Sequence, residues 1–120
     1  MFLADFSTTQ GKVLTQGLVM VGDATYNEFI SESFVMENGV PSTEVNNNNH
    51  LRYRVFYWES QEDYDAGLTA YILDSPKTTE TDVRSIEDKL WHEATDLDST
   101  YADLTVEKKA EKHLKEVIFA

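Results

Sequence analysis

The chain of 120 residues has no cysteine, only two prolines and five scattered glycines. Without cysteine there can be no disulfide and no thiolate metal site, and a cytoplasmic origin is favoured over secretion. No apolar run approaches the ~18 residues of a membrane-spanning helix. The opening Met1-Phe2-Leu3-Ala4-Asp5-Phe6 lacks a basic region and a long apolar core, so it does not read as a signal peptide. Bases are scarce too: 10 Lys and Arg face 22 Asp and Glu, a net charge of −12. Such a surface repels nucleic acid and anionic membranes. The excess is spread, with 6 acids and 1 base in residues 1–50, 6 and 3 in 51–80, and 10 and 6 in 81–120. That distribution reads first as solubility and second as an acidic face.

What is present suffices for one core. Hydrophobic residues make up 41% of the chain and aromatics 12%, which fits a single folded domain and not a disordered chain. The densest signal is Leu51-Arg52-Tyr53-Arg54-Val55-Phe56-Tyr57-Trp58, a strand by its aromatic and aliphatic content. Alternation puts Leu51, Tyr53, Val55 and Tyr57 on one face, suited to a core. Arg52, Arg54, Phe56 and Trp58 share the other, which meets either the C-terminal helices or another chain. Lys12 to Val21 reads as a strand with a bulge or bend at Gly17, ended by Gly22-Asp23. Residues 28–36 read as a second strand closed by Asn38-Gly39, and Pro41 to His50, with Asn46 to Asn49 in a row, as a loop. Ser60 to Ala66 reads as a helical turn closed by Gly67, and Leu68 to Leu73 as a fourth strand ending at Asp74-Ser75-Pro76.

After Pro76 the period changes. Val83, Ile86, Leu90, Ala94 and Leu97 fall at helical spacing, with Thr81 or Asp82 as cap. A second helix opens at Asp103 or Thr105 and aligns Val106, Ala110, Leu114 and Val117, with Glu111 and Lys115 as an i,i+4 pair. The expected architecture is α+β: a small antiparallel sheet of about four strands followed by two C-terminal helices. It is one domain over residues 1–120, with an N-terminal arm at 1–11, mainly strands at 12–75 and mainly helix at 81–120. Both ends are apolar, through Phe2 and Phe6 and through Ile118 and Phe119. They either pack on their own domain or dock on a neighbouring subunit.

No residue pattern names a reaction. There is no nucleophile elbow, phosphate loop or dinucleotide fingerprint. His50, His92 and His113 lie far apart in sequence, and His92-Glu93 has no second histidine four residues on, so the three read as surface or half-buried residues. Asp96, Asp98, Thr100 and Glu107 match places one, three, five and twelve of a calcium loop, but Tyr101 stands where the loop needs glycine, so helix capping is the better reading. Glu59, Glu62, Asp63 and Asp65 read as a solvated turn. No catalytic residue, metal or cofactor is expected.

Residues 54–68, Arg-Val-Phe-Tyr-Trp-Glu-Ser-Gln-Glu-Asp-Tyr-Asp-Ala-Gly-Leu, carry an aromatic strand followed by a short acidic turn ending in Ala-Gly. This stretch resembles small virion structural proteins of tailed bacteriophages. The resemblance implies a non-enzymatic protein of the tail, baseplate, neck or capsid surface, assembled in the host cytoplasm and packed among copies of itself and other virion proteins. Candidate partner-binding residues are Arg52, Arg54, Phe56, Trp58, Phe2, Phe6, Ile118 and Phe119. The rival expectation is an acidic phage-encoded inhibitor that imitates nucleic acid to block a host DNA-binding protein.

Overall fold

The computed structural model describes residues 1–76 and 83–119. Five antiparallel strands form one sheet: β1 (Phe2–Ser7), β2 (Val13–Glu37), β3 (Val40–Trp58), β4 (Tyr71–Ile72) and β5 (His92–Thr95). The order is β1-β2-β3-β4, and β5 pairs with another stretch of β3. Helical elements are α1 (Gln61–Asp65), α2 (Ile86–Lys89), a 3₁₀ turn at Ser99–Tyr101, α3 (Val106–His113) and a π turn at Leu114–Ile118. The architecture is α+β but richer in sheet than the sequence suggests.

The two expected strands before Asn38 are one, β2. Two bulges hid its continuity. Gln16, at φ +54°, inserts an extra residue opposite β1, so Leu14 and Val19 reach the same face despite opposite parity. This is the irregularity expected beside Gly17, whose Cβ would stand 3.0 Å from the Phe6 ring. A second bulge lies between Gly22 and Thr25, with Asp23 at φ +52°. Gly22-Asp23 therefore re-phases the strand instead of ending it, and Tyr26 falls opposite Leu51 on the core face.

Asn38 and Gly39 turn β2 straight into β3. Both have positive φ, as a tight two-residue hairpin turn requires. The expected loop from Pro41 to His50 is strand, paired residue for residue from Glu37↔Val40 to Asn27↔His50. Outside the body of the sheet, this ribbon needs no buried face, so no alternation of apolar residues announces it. The backbone ladder and the turn set its register.

The core lies between the sheet and the C-terminal helix. Val19, Leu51, Tyr53 and Val55 are fully buried and meet Ala110 and Leu114, also fully buried. Thr105 caps α3 by accepting from the Lys108 amide at 3.3 Å. The π turn then adds a residue to the helical period. It swings Val117 out to 57% exposure and brings Ile118 and Phe119 onto the core instead. The expected Glu111–Lys115 pair does not form: Glu111 pairs with Lys108 at 3.3 Å, and the Lys115 ammonium lies 4.4 Å from the Phe2 ring centre.

The expected helix from residue 81 to 97 is corrected. Its proposed caps, Thr81 and Asp82, lie outside the described residues. Ser85 caps the short α2, Val83 and Ile86 stand exposed, and the chain returns as β5 along the free edge of β3. Satisfying the backbone of Leu51–Tyr53 overrides a helical spacing of apolar residues. The fourth strand shrinks to Tyr71–Ile72, although the Leu73 amide still donates to the Val55 carbonyl at 2.8 Å. The turn after β3 is as expected, with Ser60 accepting from the Asp63 amide and Gly67 at φ +77°. The N-terminal residues are not an arm, since Phe2–Ser7 is an edge strand.

Candidate interaction surface

The most prominent feature is the projecting hairpin. The molecule measures 68 × 35 × 22 Å, with a radius of gyration of 18.5 Å. A compact chain of this length would have a radius near ~14 Å. Among the described residues, from about residue 27 to the turn and back to residue 48, β2 and β3 pair only with each other; Asn49 bonds Asp96 and Leu97, and His50 pairs with Thr95. Isolated two-stranded ribbons are marginally stable in water. This one also exposes Phe29, Ile30, Phe34, Met36 and Val40, each between 60% and 71%. The register distributes them over both faces. Ile30, Phe34 and Met36 share the face of Leu51; Phe29 and Val40 occupy the other. A flat partner surface could cover only one of these faces.

The arm is acidic as well. Residues 27–50 contain Glu28, Glu32, Glu37 and Glu44 and no Lys or Arg. Sequence reasoning placed no site here, because the polar return strand read as a loop. The signal that could have found it is the Asn38-Gly39 turn beside an apolar strand.

The second face of β3 is occupied by its own chain. The Arg52 guanidinium stacks 4.1 Å from the Trp91 ring centre, and that of Arg54 lies 5.2 Å from the same ring. Arg52 Nε is 3.3 Å from a Glu93 carboxylate oxygen but off the line of a hydrogen bond. Arg54 pairs with Asp23 in the bulge at 3.3 Å. The Phe56 ring covers Gly22, where a Cβ would stand 2.6 Å from it. Trp58 is buried, donates from its indole N–H to the Leu68 carbonyl at 2.8 Å, and meets Tyr64 edge to face. Trp58→Ala is therefore expected to cost about 3–5 kcal/mol of stability. Urea denaturation followed by Trp91 fluorescence measures it. A loss below ~0.5 kcal/mol, the scale of surface substitutions, would mean that the indole does not anchor this corner.

The terminal candidates are likewise turned inward. Phe6 stacks on Phe119 at 4.8 Å and meets Tyr57 edge to face at 5.4 Å, while Phe2 meets Phe119 at 6.4 Å. Ile118 packs on the same cluster. Of the eight residues singled out from sequence, none stands free of intrachain packing, and none lies on the arm.

The fold also unites residues that sequence kept apart. His92 and His113 are both buried against Tyr53, which corrects the expectation of surface or half-buried histidines for both. The Tyr53 hydroxyl lies 2.6 Å from His113 Nδ1. Burial raises the Tyr53 pKa and lowers that of His113, so a neutral phenol and a neutral imidazole share this hydrogen bond. Burial lowers His92 too, opposed by its bond to the Leu73 carbonyl at 3.0 Å. His92 Nδ1 is buried without a partner. His50 stays half-exposed, 3.8 Å from Glu93.

Asp98 caps the 3₁₀ turn, accepting from the amide and hydroxyl of Thr100, which lowers its pKa. Among the described residues no three His, Asp or Glu side chains cluster as metal ligands. Glu59 pairs with Lys12, and Asp65 accepts from Gln61 at 3.1 Å. Comparison with family models, curated proteins and solved structures gives no match.

Proposed function

We propose that this chain is a non-enzymatic structural protein that assembles with neighbouring molecules through its projecting hairpin, in the particle of a tailed phage. One observation carries the reading: the arm exposes five large apolar side chains on two faces, and no other part of the described chain covers them. Exposed apolar surface of this extent marks a contact surface in a stable protein. The buried ring cluster around Tyr53 sits in the core and has the character of a structural polar network. The phage setting comes from the resemblance of residues 54–68 to virion proteins. Mass spectrometry of gradient-purified particles from the encoding phage tests it. The chain is expected at a fixed copy number relative to the major structural proteins, and its absence from intact particles would overturn the reading.

A further inference from the structure

The assembly reading leaves open what covers the arm, and the inference here rests on that reading. Among the described residues, the ribbon has unfilled backbone edges. β1 lies beside β2 only up to Val19, and β4 and β5 lie beside β3 only from His50 onward. A third unfilled edge is the outer side of β1 itself, which has β2 on one side and no strand on the other. Open edges pair with strands from other chains.

Charge decides between the possible pairings. Two arms side by side would oppose acids to acids, since residues 27–50 hold four Glu and no base. The β1 edge is different. Its one acid, Asp5, is engaged by the Gln16 amide at 2.8 Å, and Lys115 stands over Phe2 at 4.4 Å. We propose that the arm of one copy adds as a further strand to the outer edge of β1 in a second copy. In this arrangement Ile30, Phe34 and Met36 continue the apolar face of Phe2 and Phe119, and Glu28 and Glu32 approach Lys115. The three side chains on the shared face, Ile30, Phe34 and Met36, present on the order of 400 Å², about half of the ~800 Å² per partner of a standard interface. The contact is head to tail, so it repeats and builds rings or open chains.

Two variants disable opposite halves of this contact. One removes residues 31–36 and 41–46, six cross-strand pairs, which keeps the Asn38-Gly39 turn and the alternation of faces. The other is Leu3→Glu, which sets an acid against the acidic arm at a half-exposed position on the β1 edge. Circular dichroism and thermal melts establish that both fold, and Phe34→Glu serves as a second arm variant. In sedimentation velocity at up to about 0.1 mM, the range of weak contacts, the wild type is expected to form oligomers and each variant to be monomeric. An equimolar mixture of the two is expected to give a dimer that grows no further, because one intact arm meets one intact edge. A monomeric wild type, an arm variant that still oligomerises, or a mixture that stays monomeric each overturns the proposal. Particle content measured by mass spectrometry remains the separate judge of the assembly reading.

Discussion

Tyr53→Ala is expected to lower the stability of this protein by about 3–5 kcal/mol. Against a typical total of ~5–15 kcal/mol, that is enough to leave a large fraction unfolded near physiological temperature. Tyr53 is the largest fully buried side chain. It joins the sheet to both histidine-bearing elements, stacking on His92 of β5 at 5.4 Å and meeting His113 of α3 edge to face at 5.8 Å. Removing the ring opens a cavity where three elements converge and strips His113 Nδ1 of its hydrogen-bond partner. Tyr53→Phe separates the two effects. It keeps the packing and leaves the buried nitrogen unpaired, at an expected cost of about 1–3 kcal/mol. Urea denaturation monitored by tryptophan fluorescence and far-ultraviolet circular dichroism ranks the variants. Equal losses would assign the whole effect to the hydroxyl, and a silent Tyr53→Phe would assign it all to packing.

Mild acid is expected to weaken the fold through the same cluster. Burial holds both His92 and His113 below the ordinary histidine value of 6.5. The groups acting on His92 are the Leu73 carbonyl and Asp74, which favour its protonation, and His113 and Arg84, which oppose it. Between the folded values and 6.5 the unfolded chain binds more protons than the folded one. The stabilisation from neutral, buried rings is therefore complete above pH 6.5 and is lost as pH falls below it. The slope is at most about 1.4 kcal/mol per pH unit for each histidine. The physical reason is sharpest at His92: a second proton would sit on Nδ1, which has no acceptor. Urea midpoints at pH 7.5 and 5.5 measure the effect above the ordinary carboxylate range. In the double variant His92→Gln/His113→Gln this limb should flatten. An unchanged slope there would show that other groups govern the acid response.

Several elements were legible because their signals are local. Leu51–Trp58 declares itself by composition and alternation, and its apolar face is the core face in the structure. The turn from Ser60 to Gly67 and the cap at Thr105 follow from side chains reaching the nearest backbone amides. The arm was illegible because a two-stranded ribbon is held by its ladder, and neither Pro41 nor the asparagine run forbids one. Residues 83–97 misled because a helical spacing of apolar side chains cannot compete with an unsatisfied strand edge nearby. The histidine cluster had no signature either, since Tyr53, His92 and His113 are joined only by the path of the chain across the sheet.

By itself, then, the sequence determined the absence of disulfides, an acid-rich chain, the central strand with one apolar face, and the amphipathic C-terminal helix. These follow from residue chemistry and from periods that act over a few positions. The tertiary structure decided that β2 runs unbroken through two bulges, that β5 replaces a helix, that two distant histidines close on Tyr53, and that the terminal aromatics turn inward. Each of these depends on which backbone edge or apolar face lies across from it in space. Pairing partners are chosen by the whole fold, and no window along the chain contains them.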